Sequence, residues 1–136
     1  MLKLAFATDD RVSVNQHFGA TAGFAIYALD GEAAKLVQVV EFASESMDGN
    51  EDKLAAKIEA LAGCAAVYCL AAGASAVRQL LAGGIQPMRL EDERVIEPLI
   101  VELRAAIRDG GVPWIDRLLK RDDSRFDRMA EEGWQE

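Results

Sequence analysis

The chain holds one histidine and two cysteines, and their placement frames any metal chemistry it can do. His17 stands in Asn15-Gln16-His17-Phe18-Gly19, inside a stretch from Asp10 to Gly23 that follows the first apolar run. A connection of that length in a compact domain is more often functional than idle. A neutral imidazole binds borderline metals, iron among them, and the neighbouring glycine allows close approach. The same histidine could instead cap its loop or pack with Phe18, and residue types alone leave both readings open. Cys64-x4-Cys69 is not the spacing of a paired zinc site, and a lone histidine cannot complete one. If both cysteines lay on one strand, the rise of ~3.3 Å per residue would set them about 16 Å apart on opposite faces. That is too far for a shared metal or a disulfide. Cys64 then fills the core at the start of the strand. Cys69, at its carboxyl end, is the candidate ligand beside His17, with a buried apolar role as the alternative.

Other residues bear on an anionic ligand. Gly73 precedes a helical stretch, whose first backbone N–H groups and dipole favour negative charge. Arg89 would add a cation at the end of the last strand. A plain crossover turn and a solvated arginine are the competing readings. Asp9 and Asp10 raise metal-dependent phosphodiester cleavage, which needs further carboxylates at other strand ends. After the Cys69 strand the chain offers Leu70-Ala71-Ala72-Gly73, with none. A turn-forming Asp9 is therefore favoured over a nuclease.

The elements that must position these residues follow from apolar periodicity. Leu2 to Ala7 reads as a buried first strand. Phe24 to Leu29 and Leu36 to Phe42 read as two more, joined through Asp30-Gly31 as an antiparallel meander. A polar connection, Ser44 to Asn50, leads to a helix opened by Glu51 and Asp52. Its apolar positions are Leu54, Ile58, Leu61 and Ala62, and Gly63 ends it. Ala65 to Leu70 is a fully buried strand, Ser75 to Leu81 a short helix, and Ile85 to Leu90 an edge strand because of Pro87. The last long helix spans Arg94 to Asp109, starting near Glu97 because Pro98 fits only a first turn. Its stripe is Val95, Leu99, Leu103 and Ile107.

The order β-β-β-α-β-α-β-α, with right-handed crossovers in the second half, predicts a mixed sheet of order 3-2-1-4-5. That is a ribonuclease-H-like α/β arrangement. Ligands favour the crevice beyond the carboxyl ends of its parallel strands, where the His17 loop, the Gly73 turn and Arg89 converge. Residues 1–109 form the predicted domain, and 110–136 a linker and tail. In the tail, Trp114, Ile115, Leu118 and Leu119 share a helical face that either docks on the sheet or receives a partner. Mobility is expected beyond Arg121.

Composition narrows the function classes. The 136 residues are 51% hydrophobic and 28% charged, which suits one soluble domain with its own core. Fifteen basic against 23 acidic residues leave a net charge of −8, which disfavours nucleic acid and anionic membrane surfaces. The first apolar run is too short for a signal peptide. The uncharged stretch Ala60 to Val77 is rich in alanine and broken by Gly63 and Gly73, so it reads as a strand running into a helix. A cytoplasmic protein with reduced thiols is expected.

Leu4-Ala5-Phe6-Ala7-Thr8-Asp9-Asp10, then Val14-Asn15-Gln16-His17-Phe18-Gly19, then Phe24-Ala25-Ile26-Tyr27 resemble the dinitrogenase iron–molybdenum cofactor-binding family. Cys64 to Cys69, the Gly73 turn and Gly84-Ile85-Gln86-Pro87 resemble its second half. The length and the tail Pro113-Trp114-Ile115-Asp116-Arg117 resemble its NifX-type branch. The resemblance implies a non-enzymatic carrier in nitrogenase maturation. Its cargo would be an iron–sulfur precursor of the iron–molybdenum cofactor, or that cofactor itself. Its partners would be the precursor synthase and the scaffold that finishes the cofactor. Carried onto this sequence, the family's histidine motif implies a cofactor-binding element of Asn15, His17, Phe18 and Gly19, with His17 on the metal; the expected crevice geometry, not the motif, adds Cys69, Gly73 and Arg89 around it and Cys69 as a second candidate metal ligand. A regulatory or interaction module without a bound cluster is the second reading, and a metal-dependent nuclease the third.

Overall fold

The computed structural model describes residues 1–42 and 51–121. The expected connection Ser44 to Asn50, and the segment beyond Arg121 expected to be mobile, lie outside the described residues. Five strands form one mixed sheet: β1 (Leu2–Ala7), β3 (Gly23–Leu29), β4 (Ala34–Glu41), β5 (Ala66–Cys69) and β6 (Gln86–Arg89). A separate two-residue ribbon pairs β2 (Ser13–Val14) with β7 (Arg94–Val95). The helices are α1 (Glu51–Ala60), α2 (Ala74–Ala82) and α3 (Ile96–Asp109), and residues 113–121 form α4.

The sheet order is β4-β3-β1-β5-β6. β1 runs antiparallel to β3 and parallel to β5, and β5 runs parallel to β6. β1, β5 and β6 therefore end on the same side, as the crossovers through α1 and α2 require. Pro87 sits on the edge strand β6, where a missing N–H costs the least. Gly23 opens β3 where a Cβ would lie 2.2 Å from the Val40 carbonyl oxygen, so only glycine lets β4 pair there.

Period-2 alternation divides the core into two layers. Leu4 and Phe6 of β1, with Ala66 and Tyr68 of β5, face α3 and α4. Ala5 and Ala7, with Val67 and Cys69, face α1 and α2. Leu99 and Leu103 bring the apolar stripe of α3 onto the first layer. Leu54, Ile58 and Leu61 bring that of α1, with the turn after it, onto the second. Ile115 of α4 is buried in the first layer, and the Trp114 ring stands edge-on to Tyr68 at 6.4 Å. Burying a side chain of this size contributes about 1.5–3 kcal/mol.

Several expectations are corrected. Cys64 precedes β5 instead of lying on it, so strand parity does not apply. Both cysteines belong to the layer under α1 and α2. Val95 is in the β7 ribbon, largely exposed, and not part of the α3 stripe. The stretch from Asp10 to Gly23 is not unstructured, since it contains β2 and a single 3-10 turn, Phe18–Ala20. Periodicity cannot detect a two-residue strand, because two residues complete no period. Among the described residues no helix is long and apolar enough to cross a membrane.

Candidate functional site

The connection after β1 is built as a brace. The buried Thr8 hydroxyl accepts the Asp10 and Arg11 N–H groups at 3.3 and 3.0 Å. The Asp10 carboxylate accepts the Val12 and Ser13 N–H groups at 2.8 and 2.9 Å. Those donors hold its pKa below the ordinary carboxylate value. Asp10 thus shares the turn-forming role expected of Asp9. Asp9 exchanges two hydrogen bonds with Asn15: the Asn15 amide donates to Oδ1 at 2.7 Å, and the Asp9 N–H donates to the Asn15 side-chain oxygen at 3.2 Å. Asn15 therefore closes the turn on itself.

Beyond Asn15 the chain is fastened to the ends of the parallel strands. The Asn15 N–H donates to Ala7 O at 3.2 Å, the Leu70 N–H to Gln16 O at 2.9 Å, and the Phe18 N–H to Ala71 O at 2.7 Å. These bonds tie the loop after β1 to the connection between β5 and α2. His17 lies between the two tied residues, in extended backbone and exposed. Its carbonyl accepts the Ala20 N–H at 3.2 Å. Phe18 is fully buried in the layer under α1 and α2, its ring 5.6 Å from that of Phe24. The imidazole stays in water because its neighbour is sunk in the core.

Two glycines flank this histidine without a packing reason. A Cβ added at Gly19 or at Gly73 would meet no atom within 4 Å, and neither residue has a positive φ. Their missing side chains leave the rim open. Gly73 is the N-cap of α2 and supplies no side-chain cap, so the first N–H groups of that helix lack an intrahelical acceptor. Arg89 is exposed at the end of β6, its Nε–H donating to Leu70 O at 3.3 Å.

Sequence reasoning misses one residue of the loop's support. Lys57 of α1 is only 7% exposed, and its ammonium donates to Gly19 O at 2.6 Å while standing 5.7 Å from the centre of the Phe42 ring. The signal was available. Leu54, Lys57, Ile58 and Leu61 form an i, i+3, i+4, i+7 set, the pattern of a buried helix face, and Lys57 is its one charged member.

Cys69 ends β5, beside the tied loop. It is 1% exposed within the apolar layer. Burial pushes its thiol up to about 11, against weaker opposing effects of an Ala71 N–H hydrogen bond and the charge of Arg89. A protonated, enclosed thiol is a small apolar side chain, not a ready ligand. Cys64 is likewise buried, and burial raises its pKa too. Among the described residues no three His, Cys, Asp or Glu side chains gather where they could hold a metal ion. Anything metallic that binds here must bring most of its own coordination. The rim offers it one imidazole, nearby cationic groups and N–H donors.

A family model described as dinitrogenase iron-molybdenum cofactor matches residues 1–106. Protein NifX of Azotobacter vinelandii is 50% identical over 140 residues, covering 100% of this chain and 89% of that one. Protein NifX of Klebsiella pneumoniae is 35% identical over 131 residues, covering 96% and 82%. The FeMo cofactor biosynthesis protein NifB of Frankia alni is 36% identical over an alignment of 109 residues, covering 76% of this chain and 21% of that one. The crystal structure of PH0822 superimposes with a TM-score of 0.60 at 24% identity, over 77% of this chain and 90% of that one. That likeness shows the fold alone.

Proposed function

The chain belongs to the dinitrogenase iron–molybdenum cofactor family, and from that premise we propose that it acts in building that cofactor, as a carrier and not a catalyst. Its cargo is an iron–sulfur precursor of the cofactor, or the cofactor itself. It takes the cargo from the maturation protein that assembles the precursor and passes it to the scaffold that completes it. The similarity to NifX and NifB proteins supports this place among maturation proteins. We read the sheet order as a ribonuclease-H-like arrangement, and the crevice at its carboxyl edge as the cargo site.

The observation that carries the reading is the exposed imidazole of His17, held between two backbone anchors and beside two glycines that packing does not need. A preassembled cluster needs one ligand and a clear approach, not a full ligand set. A single imidazole binds and lets go, whereas several thiolates would retain the cluster. The cationic Arg89 opposes the overall acidity of the chain near an anionic cargo. Arg89 and the first turn of α2, after Gly73, supply donors to its sulfides. In this reading Asn15 and Phe18 act by holding the loop, and Cys69 by filling the floor. Both cysteines are free thiols, which suits a reducing cytoplasm.

Anaerobic mixing with isolated cofactor precursor, followed by gel filtration and iron analysis, tests the carrier role. Iron should travel with the protein at a fixed stoichiometry, then leave when a scaffold protein is added. Protein that elutes free of iron yet forms a complex with a maturation partner would be an interaction module instead.

A further inference from the structure

The opposite end of the same sheet holds a concave site. A cavity of ≈ 140 Å³ opens among the amino ends of β1 and β5, the turn after α2 and the end of α4. Lys3, Gly63, Cys64, Gly83, Gly84 and Arg121 contribute to its wall, and among the described residues no carboxylate does. Gly63 and Gly84 both have positive φ, +87° and +78°, so glycine is favoured at each and the wall is left bare backbone. The two cations overlie those glycines. Lys3 Nζ lies 3.7 Å from where a Cβ on Gly63 would be, and Arg121 Nη2 lies 3.4 Å from where one on Gly84 would be.

Neither cation makes an ion pair or a side-chain hydrogen bond among the described residues. Two like charges brought to one concave surface repel, and a low-dielectric wall strengthens the field they share. An anion between them removes the repulsion and gains charge-assisted hydrogen bonds. We propose that this cavity binds a small oxyanion of the phosphate class, at a site separate from the His17 crevice. Arg121 offers a planar fork to two of its oxygens and Lys3 a point charge to a third.

The test is an NMR titration of the 15N-labelled full chain with inorganic phosphate, with chloride added to a parallel sample at equal ionic strength. Phosphate should shift the Gly63, Gly83 and Gly84 amides along a saturating curve, and chloride should not. Lys3→Gln and Arg121→Gln should each weaken that binding about tenfold, and His17→Ala should leave it unchanged. A linear drift of many amides, an equal response to chloride, no shift at all, or unaltered saturation in both glutamine variants would overturn the proposal.

Discussion

The rim and the floor of the crevice are built from adjacent residues with opposite duties. His17, Gly19 and Gly73 on the rim are exposed or bare, and nothing in the packing depends on them. Phe18 and Cys69 on the floor are sealed in the apolar layer and face no solvent. In the proposed reading, the chain separates chemistry from stability over a single peptide bond, between His17 and Phe18. Sequence proximity within a motif does not make its members equivalent, even when a family motif groups them.

That division can be broken first at Phe18. Phe18→Ala leaves a void in a fully buried site and should cost about 3–5 kcal/mol in denaturant unfolding, with cargo binding lost as the loop detaches. A loss of binding at unchanged stability would put Phe18 on the rim after all. Ile115→Ala asks the same of α4. Ile115 lies in the core layer, so the variant should lose about 2–5 kcal/mol while the crevice keeps its affinity. A fall in transfer to a partner, with stability unchanged, would make α4 a docking arm.

The cysteines sharpen the comparison at smaller cost. Cys69→Ser buries a hydroxyl among apolar side chains and should destabilise by roughly 1–3 kcal/mol, with cargo affinity close to that of Cys64→Ser. A selective loss of affinity in Cys69→Ser would show that the thiol reaches the cargo. The same burial has a pH signature. Burial pushes the folded thiol of Cys69 up to about 11 from its ordinary 9.0. Its contribution is therefore intact below pH 9 and is lost as pH rises through 11. The slope of stability against pH in that window should be shallower in Cys69→Ser. The smallest stability effect belongs to the rim glycines. Gly19→Ala and Gly73→Ala should change stability by less than about 1 kcal/mol, yet weaken cargo binding by occupying its approach.

Much of the sheet was legible because it rests on local pattern. The apolar run Leu2 to Ala7, the Asp30-Gly31 turn and the edge-placing Pro87 each declare an element without tertiary information. The convergence of the His17 loop, the Gly73 turn and Arg89 followed from strand order. What stayed hidden depends on contacts between distant residues. The β2–β7 ribbon joins Val14 to Arg94, and the depth of Phe18 and Cys69 is set by helices that cover them. Strand parity predicts opposite faces for Cys64 and Cys69, but Cys64 precedes β5 and escapes that parity. Lys57 could have been found from its place in an apolar helical stripe, but its acceptor at Gly19 lies in a loop 38 residues away.

The central claim is that an exposed imidazole on a pinned loop holds the cargo. It is tested most directly by mixing wild-type chain and His17→Ala anaerobically with the isolated iron–sulfur precursor, and measuring iron retained against protein after gel filtration. The variant should keep the unfolding midpoint of the wild type and lose at least about tenfold in affinity, the low end for disturbing even an outer-shell group of a metal site. Equal iron retention by the two proteins, with both folded, would contradict the account.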